Sequence, residues 1–417
     1  MSTQRRALVI GGSFGGLFAA NLLARAGWEV EVYERAGEAL ADRGAGIVTH
    51  DELFDAIRRA GAVVDASIGC ATHSRATLDR EGSLIAAMPL AQILTAWGRL
   101  YRLLKDVFAA ENYHYGRAFE RFEQDENRVT AYFSDGSSAS GDLLIGADGI
   151  RSIVRAQVAP HSTPAYAGYV AWRGLVDECA LTAQTRRALA DRMTFGLPPG
   201  EMMLTYLVAG RDYTTEPGQR RYNFVWYRPA AEQTVLRDLF TDAQGRHYEH
   251  NIPPDRIRPE VIAAMHAAAG QLLAPPFVEV VRATSEPLFQ PIYDLESAQL
   301  VRGRVAILGD AAFVARPHVG LGVTKAAGDA VALADALAAH PDDLAAALRI
   351  YEAKRLEFGA SIVAHARVLG LGIGPAAPGG PQAALAAYLR RPEVVMREIA
   401  VPDWADRAFA LTRLQVT

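Results

Sequence analysis

The sequence is poor in cysteine, long apolar runs and charge of one sign. Its 417 residues include two cysteines, Cys70 and Cys179, which lie outside any Cys-x-x-Cys spacing. We predict both to be ordinary small apolar residues in a reducing, cytoplasmic compartment. No apolar stretch reaches the roughly 18 residues that span a bilayer, and no signal-peptide pattern precedes the first strand. With a net charge of −4 and 22% charged residues, neither nucleic acid nor an anionic membrane is indicated, so we expect a small-molecule partner.

The first 34 residues have the pattern of a βαβ unit. A β-branched strand, ALVI, is followed by the turn GGSFGG, a helix with apolar period near 3.6, and the strand WEVEVYE. A dinucleotide pyrophosphate would rest on the helix amides at this turn, and a carboxylate about 20 residues later would bind a ribose hydroxyl. Serine replaces the second glycine of the usual motif, and a turn without nucleotide is the alternative. The predicted cofactor-binding residues here are Gly11, Ser13, Phe14, Gly15, Gly16, Glu34 and Arg35.

Two later segments end a strand in glycine and aspartate. Residues 127–145 predict a β-hairpin whose second strand runs into GADG. Residues 304–308 predict a short buried strand followed by GDAA and an alanine-rich helix over 324–339. This pattern predicts one nucleotide-binding fold assembled from three separated pieces.

The three motifs resemble those of the FAD-dependent aromatic hydroxylases related to p-hydroxybenzoate hydroxylase. The second is GADGIRSIVR at 146–155 and the third continues from GDAA into ARPHVGLG. Within that family the sequence is most similar to the 2,6-dihydroxypyridine 3-hydroxylase type, on the serine in GGSFGG, the segment YVAWRG and the run ARPHVGLGVTKAAGDA. Phe313 replaces the family's histidine after GDAA, and we expect FAD binding to survive this change.

The resemblance implies further cofactor-binding residues. Asp310 would hydrogen-bond the ribityl hydroxyls, Asp148 would lie near the pyrophosphate, and helix capping is the alternative for both. Arg102 would contact a phosphate; Arg99 competes for that role, and a solvated helix face is the alternative for either. Glycine-rich loops would pass along the isoalloxazine and present helix amides to it. The residues assigned in this way are Arg43, Gly46, Ile47, Arg102, Asp148, Gly149, Asp310, Gly320, Leu321 and Gly322.

Substrate residues are expected on the loop after GDAA and on two aromatic strands. His318 is the candidate catalytic residue, as a base for a ring hydroxyl, with a structural histidine as the alternative. Phe224 and Trp226 alternate with Val225 and Tyr227, so only one pair can face a pocket. The predicted substrate residues are His50, Tyr206, Phe224, Trp226, Tyr227, Pro317 and His318. The pair His247 and His250 lacks a third ligand, so no metal site is expected.

The sequence thus predicts an α/β protein with a Rossmann-like FAD-binding domain, a substrate domain with a mixed or antiparallel sheet, and C-terminal helices. The expected division is 1–71, 95–173 and 284–366 for FAD, 72–94 and 174–283 for substrate, and 367–417 for the helical segment. The resemblance implies a monooxygenase that uses NADH or NADPH, without a second Rossmann domain, and O2. It would hydroxylate an electron-rich ring, such as a hydroxypyridine, through a flavin C4a-hydroperoxide. A flavin oxidase or halogenase and a non-catalytic FAD sensor are the rivals, and a homodimer is expected.

Overall fold

The computed structural model describes residues 4–38, 40, 46–374 and 380–402 of the chain. The strands are β1 Arg6–Ile10, β2 Glu29–Tyr33, β3 Gly46–Val48, β4 Cys70–Leu78, β5 Leu84–Ala96, β6 Tyr113–His114, β7 Phe119–Gln124, β8 Val129–Phe133, β9 Ser138–Gly141, β10 Leu143–Gly146, β11 Ala165–Asp177, β12 Arg192–Gly196, β13 Met202–Val208, β14 Arg221–Pro229, β15 Leu288–Glu296, β16 Val301–Arg302, β17 Val305–Ile307 and β18 Phe313–Val314. The α-helices are α1 Phe14–Arg25, α2 Asp51–Arg59, α3 Trp97–Asp106, α4 Ile153–Val158, α5 Ala183–Leu189, α6 Arg237–Leu239, α7 Pro259–Leu272, α8 Pro275–Ala283, α9 Gly322–Ala339, α10 Leu344–Leu369, α11 Gly380–Leu389 and α12 Pro392–Glu398.

The smaller of the two main sheets has six strands in the order β16-β17-β10-β1-β2-β6. Its pairs from β17 to β6 are parallel, and β16 joins antiparallel at the edge. Strands β10 and β17 are fully buried, as expected for a parallel sheet covered on both faces. Helix α1 packs against α9, and the three-stranded sheet β7-β8-β9 contacts β1 and β10. The predicted βαβ unit and α/β fold are confirmed.

The ends of β1, β10 and β17 lie side by side in this sheet. The amide of Ala147 donates to Ile10 O at 2.8 Å, and the amide of Leu308 donates to Gly146 O at 3.0 Å. Gly11 adopts φ +100°, a left-handed conformation that glycine accepts without strain. The three glycine-containing segments GGSFGG, GADG and GDAA therefore emerge together at the carboxyl edge of the strands.

The larger sheet has nine strands in the order β18-β15-β11-β14-β13-β12-β4-β5-β3. It is antiparallel except for the β4–β12 pair. All seven residues of β13 are buried, so the sheet is covered on both faces. On one of these faces, Phe277 of α8 and Met265 of α7 belong to the same buried cluster as Phe224 and Trp226.

The sheet membership of two strands differs from the expected division of the chain. Residues 165–173 and 288–296 were assigned to the cofactor part, yet they form most of β11 and all of β15 in the nine-stranded sheet. A 3-10 turn at Gly370–Gly372 follows α10, and residues 375–379 lie outside the described part. In the described ranges, no helix is both long and apolar enough to cross a membrane.

Substitution of Gly16 tests the close approach of α1 to the β1 turn. A Cβ at Gly16 would lie 1.8 Å from the carbonyl oxygen of Gly11, so the helix must move away from the sheet. We expect Gly16→Ala to lower the free energy of unfolding by about 3 kcal/mol, as severe overpacking does. Urea unfolding without added cofactor measures it.

Gly37→Ala is the matched control, because a Cβ there meets nothing within 4 Å. We expect its stability to stay within about 0.5 kcal/mol of the wild type. Equal stabilities for the two variants would show that the helix and turn tolerate separation.

Candidate active site

A cavity of about 370 Å3 lies where the strand ends of the six-stranded sheet meet one face of the nine-stranded sheet. The strand ends and helix N-termini contribute Ser13, Phe14, Gly15, Ala147, Gly149, Leu308, Gly309, Asp310, Gly322, Val323, Lys325 and Ala326. The nine-stranded sheet contributes Gly46, Ile47, Val48, Arg173, Leu204, Tyr206, Val225, Tyr227, Gln290, Ile292, Tyr293 and Val314. Trp97, Ala315, Pro317, Gly320, Ile399 and Ala400 complete the lining.

The N-terminus of α1 opens into this cavity. Ser13 precedes the helix, and no side chain among the described residues caps it. Its first amides are therefore free for a ligand, and the helix dipole favours a negative group there. The glycines at 11 and 16 keep the turn against the strand, since a Cβ at either would overlap backbone atoms. This geometry fits a dinucleotide pyrophosphate.

Glu34 lies at the end of β2, beside the same turn. Its carboxylate accepts hydrogen bonds from the Gly12 amide at 2.8 Å and the Ala36 amide at 2.9 Å. Each oxygen keeps a lone pair for a ribose hydroxyl. Arg35 is exposed and does not line the cavity. Arg43 lies outside the described residues.

The two predicted aspartates have different surroundings. Asp310 lines the cavity with its side chain 55% exposed, so its carboxylate is available to a ligand. Asp148 accepts from the Ser152 hydroxyl at 2.5 Å and from the amides of Ile153 and Val154 at 2.7 and 3.2 Å. Its side chain therefore caps α4, the alternative left open by the sequence, while the neighbouring Gly149 lines the cavity.

The loop before α9 brings a second helix N-terminus to the cavity. Gly320 adopts φ +69° and lines the cavity with Gly322. The side chain of Leu321 is 1% exposed and packs into the core, so only its main chain is available to a ligand. No side chain of the described residues caps α9. Its free amides fit the expected role, which is to present N–H groups to the isoalloxazine ring of a flavin.

The two candidate phosphate-binding arginines do not line this cavity. The exposed Arg102 stacks over Tyr213, 5.1 Å from the ring centroid. Arg99 donates to Ser67 Oγ at 2.6 Å. The structure does not support the predicted contact from Arg102 to the cofactor, because the side chain of Arg102 faces solvent from α3.

The alternation of β14 decides which aromatic residues face the cavity. Val225 and Tyr227 line it together with Tyr206 of β13. Phe224 and Trp226 belong to the core on the opposite face, against α7 and α8. Their predicted substrate contact is corrected, because successive side chains of a strand point to opposite faces.

His318 is placed behind the cavity wall. Its side chain is fully buried, its Nε2 lies 2.8 Å from the Tyr169 hydroxyl, and its ring centroid lies 4.4 Å from that of Tyr227. Burial, assisted by the charge of Arg316, lowers the pKa of His318 from 6.5 to about 3. His318 does not line the cavity, so its predicted role as a base for a ring hydroxyl is corrected; its ring packs against that of Tyr227, and the adjacent Pro317 lines the cavity.

His50 lines a neighbouring cavity of about 240 Å3 with Thr72 and His73. Its Nδ1 lies 2.8 Å from the Thr324 hydroxyl, and burial lowers its pKa to about 4. The prediction that it binds substrate is thus not supported by its position.

Several lining residues were not singled out by the sequence. Arg173 brings a guanidinium to the nine-stranded sheet, and Lys325 brings an ammonium to the first turn of α9. Ile399 and Ala400 close one wall, held there by the buried Arg75, which donates to Met396 O at 2.9 Å and Ala400 O at 2.6 Å. A charged residue inside an apolar strand or an alanine-rich helix was the available signal for the first two.

Comparison with known proteins decides the family. Residues 166–294 match a family model described as FAD binding domain-like. The chain is 33% identical over 358 residues to 2,6-dihydroxypyridine 3-monooxygenase of Paenarthrobacter nicotinovorans, covering 86% of this chain and 88% of the relative. The chain belongs to the FAD-dependent aromatic hydroxylases.

Two solved structures of this hydroxylase family share the fold. The 2,6-dihydroxypyridine-3-hydroxylase from Arthrobacter nicotinovorans superposes with a TM-score of 0.84 at 32% identity, covering 91% of this chain and 96% of that one. Klebsiella pneumoniae HpxO complexed with FAD and uric acid gives 0.74 at 26% identity, with 99% and 97% covered. Uncapped helix N-termini, the glycine cradle and the available Asp310 fit FAD in this hydroxylase.

Packing explains why this hydroxylase has Phe313 where the family has a histidine after GDAA. Its ring is 1% exposed and lies against Gly359 of α10, where a Cβ would come within 2.3 Å. Phe313 therefore points into the core rather than toward the cavity, and the flavoprotein fold accommodates it.

Acid titration tests the buried, neutral state of His318. The folded pKa lies below the unfolded one, so the unfolded chain binds the extra proton as the pH falls below 6.5, and stability is lost down to about pH 3. We expect the wild type to lose about 1 kcal/mol more than His318→Gln between about pH 6 and pH 5. Urea unfolding at each pH measures the difference.

His247→Gln is the control, since His247 is exposed; its pH profile should follow the wild type. Parallel profiles for His318→Gln and the wild type would contradict the assignment.

Proposed function

We propose that this hydroxylase acts on a hydroxypyridine-type ring, using NADH or NADPH and O2. We further propose that the ring binds with its hydroxyl deprotonated and that Arg173 binds the resulting oxyanion. Support comes from the relatives, one named for 2,6-dihydroxypyridine and another bound to uric acid. Both compounds are nitrogen-containing rings with oxygen substituents. A homodimer is proposed on the family resemblance alone, and light scattering of the purified chain tests it.

The observation that supports this proposal best is the position of Arg173. The pairing of β11 with β14 sets Arg173 opposite Val225, and both line the cavity beside Tyr206 and Tyr227. Its Nε is buried and has no hydrogen-bond partner among the described residues. A guanidinium set in an apolar and aromatic wall favours an anionic, planar ligand.

The two tyrosines of this wall act as hydrogen-bond donors. Burial raises the pKa of Tyr227 to about 12 and raises that of Tyr206 further, although the charge of Arg173 works against both shifts. Both hydroxyls are therefore protonated at neutral pH and donate to ring nitrogen or oxygen atoms. With His318 behind the wall, recognition of the oxyanion replaces the predicted general base.

FAD, when bound, supplies the redox and oxygen-transfer chemistry that protein side chains lack. The chain's own contribution is orientation and the exclusion of water. Leu204, Val225 and Ile292 give the ring an apolar wall, and Ile399 and Ala400 limit access from the C-terminal side. A dry site strengthens the attraction between Arg173 and the oxyanion.

Isotope transfer tests the reaction. Purified protein should consume NADH or NADPH faster with 2,6-dihydroxypyridine or 6-hydroxynicotinate present, and under 18O2 the product should carry one heavy oxygen by mass spectrometry. Consumption that returns only hydrogen peroxide with every ring would favour an oxidase. No reduction by either nucleotide under anaerobic conditions would favour a sensor.

Replacement of Arg173 tests the proposed oxyanion site. Arg173→Met should raise KM for the stimulating ring about 10- to 100-fold, the loss expected for a hydrogen bond to a charged group, with FAD affinity unchanged. Arg173→Lys should recover part of the loss, because charge returns without the planar donors. Steady-state kinetics and flavin titration give the two readings.

Arg187→Met removes an exposed arginine and should leave KM within about twofold of the wild type. A normal KM in Arg173→Met, with intact FAD binding, would rule out the assigned role.

A further inference from the structure

Lys325 carries a buried charge that the described residues leave without a hydrogen-bond partner. Its side chain is 1% exposed and its Nζ makes no hydrogen bond within the described part of the chain. The nearest carboxylate oxygens, from Asp310 and Asp329, are 3.6 and 3.9 Å away. A buried ammonium has three protons to donate and is costly to leave unsatisfied. Because Lys325 lines the cavity, a ligand bound there is in a position to supply the acceptor.

Asp329 is already engaged on its other side. Its Oδ1 forms an ion pair with Arg355 at 2.5 Å, and its Oδ2 accepts the Gly309 amide at 2.9 Å. Asp329 thus fixes the turn that carries Asp310. The ammonium of Lys325 therefore has Asp310 and the ligand as its partners. Cations and anions alternate along the row Arg355, Asp329, Lys325 and Asp310.

We propose that Lys325 is a cofactor-binding residue, which orients the Asp310 carboxylate toward the FAD ribityl hydroxyls and donates to a cofactor oxygen. Asp310 supports this reading because its side chain is 55% exposed in the same cavity. A carboxylate accepts hydrogen bonds, and an acceptor is what sugar hydroxyls require. The inference depends on FAD binding and not on the identity of the ring.

The test measures FAD affinity of the apoprotein by quenching of flavin fluorescence, with no ring or nicotinamide present. Lys325→Met should raise the Kd for FAD about 10- to 100-fold, and Asp310→Asn should do likewise. If Lys325 acts through Asp310, the double variant should lose much less than the product of the two single effects. Lys325→Arg should bind within about fivefold of the wild type, since the charge is kept.

Lys354→Met, on an exposed part of α10, is the matched control and should bind FAD as the wild type does. Urea unfolding of each apoprotein separates a folding defect from a binding defect. If Lys325→Met does not fold, Lys325→Gln takes its place with the same expected loss.

An FAD Kd within threefold of the wild type in a folded neutral variant would overturn the proposal. Independent, multiplying effects of the two single variants would overturn the part that acts through Asp310. Failure of ring hydroxylation would touch neither result, because the assay contains only apoprotein and FAD.

Discussion

The main-chain hydrogen bonds that join the ends of β1, β10 and β17 hold three distant parts of the chain at one sheet edge. Parallel strands place their carboxyl ends together, so each following loop leaves from the same edge. Two of these loops lead into the uncapped helices α1 and α9, whose free amides point at a shared cavity. The cradle for the cofactor is therefore a consequence of strand order. The other residues of the site take their positions relative to this cradle.

The opposite wall depends on a buried cation. Carbonyl groups at the end of α12 have no partner within their own helix, and Arg75 of β4 donates to those of Met396, Ile399 and Ala400. A guanidinium has enough donors in one plane to satisfy several carbonyls at once. The Ala400 amide in turn donates to His318 O at 2.8 Å. The C-terminal segment is thus joined both to the nine-stranded sheet and to the loop before α9, and this fixes Ile399 and Ala400 at the cavity.

The sequence predicted those features that repeat along the chain or stand at fixed spacing. Glycine turns after β-branched strands gave the βαβ unit and the three strand ends, because the backbone needs glycine there. Period-two alternation limited the aromatic wall to one pair, but the choice of Tyr227 over Trp226 depended on which face α7 and α8 cover. His318 was misjudged for a similar reason: a loop residue's direction is set by its packing partners, here Tyr169 and Tyr227.

The charges missed by sequence reasoning had a local signal. Lys325 and Asp329 are four residues apart in an alanine-rich helix, where both side chains are buried. Charged residues are rarely buried unless paired. Two charged residues one turn apart in an alanine-rich helix were therefore the signal of a site, as was an arginine inside the apolar strand β11.

The charge balance of the cavity limits the rings that suit the proposed oxyanion site. The cavity is lined by two cations, Arg173 and Lys325, and by one anion, Asp310. In the row of charges at α9, Lys325 is paired with Asp310. Arg173 is then the cation left for the ring. A charge-assisted hydrogen bond worth about 1.5–3 kcal/mol lowers the pKa of a bound hydroxyl by roughly one to two units. A phenol, with a pKa of about 10, would remain mostly protonated near neutral pH after such a shift. A ring nitrogen withdraws electrons and makes the hydroxyl more acidic, so a hydroxypyridine can bind as the electron-rich anion without a base in the cavity.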